Sequence, residues 1–112
     1  MRILVVEDDP NVRASLAELL AAMGHDVVAV ASYAAGLTQT SRGGWDVVLT
    51  DAVLPGGSGI DLARHAVGAG IPTVICTGNP QAMHQLAGSN ISFLQKPFTA
   101  EELERAIGAA HP

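Results

Sequence analysis

Five times along the chain a short run of aliphatic and β-branched residues gives way to a stretch with helical spacing, and no other feature restricts the fold as strongly. The apolar runs cover residues 3–6, 27–30, 46–50, 72–76 and 91–95. After the first, Asp9 is placed to cap a helix that Pro10 opens. Val12, Leu16, Leu19, Leu20 and Met23 then recur at helical spacing, and Gly24 closes the segment. Ser32 is a cap for a second helix running to about residue 41, which Gly36 weakens. The Pro- and Gly-rich stretch 54–59 reads as a loop before a helix over 60–67. Asn79 and Pro80 open a short fourth helix that ends by Gly88, and Thr99 with Glu102 forms a capping box for a fifth, with Leu103 and Ile107 facing inward. Strands alternating with helices pair in parallel through crossovers. Apolar runs without alternation suit strands buried on both sides. The expected architecture is α/β: a doubly wound five-stranded parallel sheet with helices on both faces.

Length and composition narrow the function classes. A chain of 112 residues reads as a single domain over 1–112, able to bury roughly 65% of its unfolded surface. With 48% hydrophobic and 15% charged residues it is not a disordered chain. A formal charge of −5 argues against nucleic acid as a direct partner. No apolar stretch is long enough for a membrane span, and no secretory signal is visible. Cys76 is the only cysteine, so it forms no internal disulfide; a reducing, cytoplasmic location is expected.

Open parallel sheets bind ligands outside the carboxyl ends of their strands. The first run ends at Glu7, Asp8 and Asp9, the third at Asp51, the fourth at Thr77 and the fifth at Lys96, the only lysine in the chain. Carboxylates, a hydroxyl and one ammonium are therefore expected on one rim. Grouped carboxylates repel, and a bound cation relieves that repulsion. An all-oxygen donor set selects a hard cation, for which Mg²⁺ is the natural candidate. A metal and an ammonium beside a carboxylate make a receptacle for a phosphoryl group, with Asp51 as nucleophile. Asp9 is read as the helix cap alone.

The segments ILVVEDDPNVR, DVVLTDAVLPGGSGIDL, VICTG and FLQKPF, in that order, resemble the successive signatures of response-regulator receiver domains, and the resemblance covers nearly the whole chain. It implies a phosphorylation-dependent signalling switch, not an enzyme in the ordinary sense: the domain catalyses only its own phosphorylation and dephosphorylation. Asp51 would be the phosphoacceptor. Asp8 would bind Mg²⁺ directly, Glu7 largely through water, and Val53 through its backbone carbonyl. Thr77 would be the switch hydroxyl, Lys96 the phosphoryl contact and Phe93 the aromatic that turns inward on activation. The Lys96–Pro97 bond would be cis. The implied partners are a histidine kinase or histidine phosphotransfer protein and an unidentified downstream protein.

The resemblance has departures. Thr77 to Lys96 spans 19 positions, a few fewer than is usual in receivers, so the fourth helix is expected to be short and the usual output face altered. Gly78 stands where many members carry alanine, as in some receivers fused to hybrid kinases. Val53 offers no group to orient an attacking water, which implies slow autodephosphorylation. An alternative is a receiver-like interaction module that is never phosphorylated. A dehalogenase-type phosphatase would need a second acid where Val53 stands. Cys76 is expected to be a core thiol, Trp45 a packing residue far from the site, and His25, His65, His84 and His111 surface residues.

Overall fold

Each of the five apolar runs forms a strand of one parallel sheet in the computed structural model, which describes residues 1–89 and 91–110. The elements are β1 (Arg2–Val6), α1 (Pro10–Ala22), β2 (Asp26–Val30), α2 (Tyr33–Arg42), β3 (Val47–Asp51), β4 (Val53–Leu54), β5 (Gly57–Ser58), α3 (Gly59–Gly68), β6 (Thr73–Thr77), α4 (Pro80–Leu86), β7 (Ser92–Gln95) and α5 (Ala100–Ala110). The sheet order is β2-β1-β3-β6-β7. Every strand pair in it is parallel.

Successive residues along the central strands serve opposite faces, as a pleated backbone requires. Ile3, Val5, Val47, Leu49, Val74 and Cys76 pack under Leu16 and Leu20 of α1 and Leu103 and Ile107 of α5. Leu4, Val6 and Val48 pack against Leu62 and Ala66 of α3, with Leu37 of α2 beside them. Ile75 meets Ala63 of α3 and Ala82 and Leu86 of α4. The doubly wound expectation is therefore met, with α1 and α5 on one face and α2, α3 and α4 on the other. The caps also stand where expected: Asp9 accepts from the Asn11 and Val12 amides, Ser32 from Ala35, and Asn79 from Gln81 and Ala82. Thr99 and Glu102 bond each other reciprocally.

Two features differ from the sequence reading. The stretch read as a plain loop after β3 contains a small antiparallel hairpin, β4 with β5. Pro55 and Gly56 form its turn, and Gly56 at φ 81° takes the left-handed conformation that an L side chain disfavours. Gly36 is also more than a weak point in α2. A Cβ there would lie 2.9 Å from Leu62 Cδ2 and 3.0 Å from Val6 Cγ2, both on fully buried side chains. The missing side chain lets α2 approach the sheet. Gly36→Ala is therefore expected to destabilise by about 1–3 kcal/mol through overpacking, despite alanine's better helix propensity; urea unfolding gives the sign directly.

Trp45, just before β3, packs at the opposite end of the sheet from the carboxyl ends of the strands. Its Nε1 donates to the Gln39 carbonyl at 2.7 Å, and the Arg2 guanidinium lies 4.5 Å from the ring centroid.

Candidate functional site

Parallel register brings the strand ends together. Val6 of β1 lies beside Thr50 of β3, so Glu7 and Asp51 each follow directly on paired residues. Asp51 in turn lies beside Cys76 of β6, and Thr77 beside Gln95 of β7, next to Lys96. Residues from three segments far apart in sequence thereby form one cluster. One carboxylate oxygen from each of Glu7, Asp8 and Asp51 falls within 4.8 Å of the others. The Lys96 ammonium donates to Glu7 Oε1 at 3.2 Å and to Asp51 Oδ2 at 3.4 Å.

The three acids differ in environment. Asp8 is exposed and Asp51 partly so, whereas Glu7 is 3% exposed. Its backbone N–H continues the β1–β2 ladder by donating to the Val30 carbonyl at 3.0 Å. Burial pushes the Glu7 carboxyl from 4.5 up to about 7, with Asp51 adding to the rise and Lys96 opposing it. Burial alone would lower the Lys96 ammonium, but the Asp51 and Glu7 carboxylates outweigh it and hold Lys96 above its usual 10.5.

The Glu7 shift has a consequence for the metal-free protein. A group whose pKa is raised on folding stabilises the fold fully below its unfolded value, and that stability is lost as pH rises through the folded value. Thermal stability in chelator should thus fall between about pH 5 and 8 by a few degrees. Glu7→Gln should flatten that dependence, and melting curves across the range test it. Added Mg²⁺ should restore more stability at pH 8 than at pH 5.

The cluster suits a hard divalent cation. Its donors are all carboxylate oxygens, and Glu7 Oε2 is buried without a hydrogen-bond partner. A buried unpaired oxygen is costly, and a cation or its bound water would satisfy it.

The other predicted residues lie around the cluster. Thr77 is 1% exposed, and its Oγ1 accepts from the Asn79 amide at 3.0 Å, facing the loop into α4. Val53 is 59% exposed just beyond Asp51. The Phe93 ring is 43% exposed on the edge strand β7. The Lys96–Pro97 peptide is cis, as the resemblance implied. Cys76 is a buried thiol as expected, pushed up to about 12 by burial, so it stays protonated. His65 and His84 are exposed. His25 is instead half-buried, its Nδ1 3.3 Å from the N-terminal amine, and His111 lies outside the described residues.

A family model described as the response regulator receiver domain matches residues 3–108. The chain belongs to that family. This receiver is 38% identical over 114 residues to the two-component response regulator PhoP of Pseudomonas aeruginosa, covering 97% of the chain and 51% of that protein. It is 36% identical over 115 residues to nodulation protein W of Bradyrhizobium diazoefficiens, covering 96% of the chain and 50% of that protein. The receiver thus spans about half the length of these relatives. Among solved structures it resembles a receiver domain protein from Clostridium thermocellum, with a TM-score of 0.86 and 29% identity over 97% of this chain and 92% of that one. It also resembles the receiver domain of the sensor histidine kinase PA1611 from Pseudomonas aeruginosa, whose structure has a magnesium ion coordinated in the active site cleft. That match has a TM-score of 0.85 and 27% identity over 96% and 94% of the two chains. Family, fold and two-component signalling class agree with the sequence reading. Among the described residues no helix is long and apolar enough to cross a membrane.

Sequence reasoning missed two residues that shape the receiver's site. Arg13 reaches back from α1 to the backbone beneath the acids. Gly59 packs directly on the backbone of Asp51. Both contacts depend on how the chain turns from a strand end into the next helix, which residue type alone does not encode.

Proposed function

We propose that this receiver is a phosphorylation switch in which Asp51 accepts a phosphoryl group from a phosphohistidine of a histidine kinase or histidine phosphotransfer protein. The observation that carries the reading is the Lys96 ammonium bonded to both Asp51 and Glu7 inside a cluster of three carboxylates. Glu7, Asp8 and Asp51, with the Val53 backbone carbonyl, would hold Mg²⁺. When bound, the cation neutralises charge on the phosphoryl oxygens. An Asp51 carboxylate oxygen attacks phosphorus and the P–N bond to the donor imidazole breaks; its electron pair stays on that nitrogen, and the imidazole leaves neutral because its other ring nitrogen already carries a proton. Lys96 transfers a hydrogen bond from Asp51 to a phosphoryl oxygen.

Signalling follows from what the new group attracts. The Thr77 hydroxyl leaves the Asn79 amide and donates to the phosphoryl group, and Phe93 turns inward beside it. The phosphoryl group thereby favours one of two arrangements of the β6–α4 and β7 region, which a downstream protein reads. Asn79 caps α4, so the Thr77 bond ties the switch to the start of that short helix. Val53 presents only alkyl carbons beside Asp51, which supports a long-lived acyl phosphate. The lone buried thiol and the acidic surface are consistent with a cytoplasmic protein acting through protein contacts.

Intact mass after incubation with acetyl phosphate tests the reading. A single phosphoryl adduct that requires Mg²⁺ supports it. A folded protein that gains no adduct with Mg²⁺ present would instead be a docking module that is never phosphorylated.

A further inference from the structure

Arg13 is the fourth residue of α1 and half-buried. Side chains on a helix lean toward its N-terminus, and this one extends past the helix start to the end of β1. Its Nη1 donates to the Glu7 carbonyl at 3.0 Å and to the Asp8 carbonyl at 3.3 Å. Both carbonyls lie beyond Val6, where the pairing of β1 with β2 and β3 ends. The turn over residues 7–9 is held at each of its residues: Glu7 N–H bonds Val30, Arg13 takes the next two carbonyls, and Asp9 caps α1.

We infer that Arg13 is a positioning residue for the cation site: by clamping the Glu7 and Asp8 carbonyls it fixes the peptide planes from which their carboxylates converge on Asp51. The inference rests on the reading of that cluster as a divalent-cation site. Lys96 makes the ion pairs with Glu7 and Asp51, so Arg13 acts through the backbone. Asp8 depends on the clamp most, being exposed on a short turn. Freed from it, Asp8 samples orientations that binding would then have to restrict, and affinity falls.

The test is Mg²⁺ titration by calorimetry of wild type, Arg13→Met and Arg13→Lys, with unfolding midpoints of all three in chelator. Arg13→Met keeps an apolar stem without a donor and should weaken Mg²⁺ binding about tenfold, the scale seen when groups orienting metal ligands are lost. Arg13→Lys retains a donor on a long stem and should recover most of that loss. A merely structural role would lower the unfolding midpoint and leave Mg²⁺ affinity alone. Equal affinity in Arg13→Met and wild type overturns the inference, as does a lysine variant no tighter than the methionine one. Should Arg13→Met prove too unstable to titrate, Arg13→Gln, whose donor is too short to span both carbonyls, takes its place with the same outcomes. A wild type that binds no Mg²⁺ overturns the phosphoswitch reading and this inference together.

Discussion

Asp51→Asn is expected to abolish the Mg²⁺-dependent phosphoryl adduct while leaving the fold intact or slightly more stable. Asparagine matches aspartate in shape and keeps an oxygen for Lys96, so the loss is confined to the anionic nucleophile. An amide oxygen carries no charge to donate into phosphorus, and no other exposed carboxylate stands beside the ammonium: Lys96 pairs only with Glu7 and Asp51 among the described residues. Glu7 cannot substitute, because it is 3% exposed and a phosphoryl donor cannot reach its carboxylate. Stability should not suffer, since removing one of three grouped carboxylates relieves repulsion that helps raise Glu7. Intact mass with acetyl phosphate, run beside a thermal melt in chelator, reads both effects. A phosphoryl adduct persisting on Asp51→Asn would place the acceptor elsewhere. Repeating the mass measurement over time on the wild type reports the lifetime that Val53 is expected to lengthen.

The largest effect on stability is expected from Gly59→Ala. A Cβ at Gly59 would overlap the Asp51 carbonyl oxygen and fall 2.7 Å from its carbonyl carbon and 3.0 Å from Ala52 Cα. All three atoms are backbone, so no rotamer change relieves the overlap. Either α3 moves away from the end of β3 or the Asp51 peptide rotates. The first breaks the 2.8 Å bond from the Gly59 N–H to the Ala52 carbonyl and lifts Ile60 and Ala63 from the core. The second displaces the acceptor's own backbone. Overpacking ordinarily costs about 1–3 kcal/mol; with a backbone clash of this depth the loss should exceed about 4 kcal/mol, a large part of a small domain's stability. Gly68→Ala, at the other end of α3 with nothing within 4 Å of the added carbon, is the matched control and should be nearly neutral. Urea unfolding of the two variants separates a helix-wide effect from one at the Asp51 contact. Equal midpoints would mean that the end of β3 yields where its packing says it cannot.

Much of the fold was legible because its signals are local. A strand buried on both faces must be apolar throughout, and residues 3–6, 47–49 and 74–76 show it. Helix starts carry their own chemistry, as Asp9-Pro10, Asn79-Pro80 and Thr99 with Glu102 demonstrate. The candidate site was legible for a related reason. In a parallel sheet every strand delivers its carboxyl end to the same rim, so naming the residues that follow each run names the cluster. Glu7, Asp8, Asp51 and Lys96 meet on that ground alone.

The remaining features depend on how closely separate segments approach, and sequence spacing does not encode that distance. Gly36 looked like a flaw in α2 until Val6 and Leu62 were seen to occupy the space a side chain would need. Gly59 looked like one loop glycine among several until it lay on Asp51. Thr77 ends its strand where expected, yet its hydroxyl faces the Asn79 amide, because a rotamer is chosen by neighbours rather than by register. The imbalance between a buried Glu7 and an exposed Asp8, adjacent in sequence, has the same origin: the chain alternates sides at the end of β1, and only the packed sheet makes one side dry. The amino-acid sequence alone thus specified the alternation of elements and the chemistry of the rim, both consequences of backbone periodicity. Tertiary packing set the clearances, the burial and the rotamers at the site, because those depend on how closely whole elements pack and not on residue type or spacing.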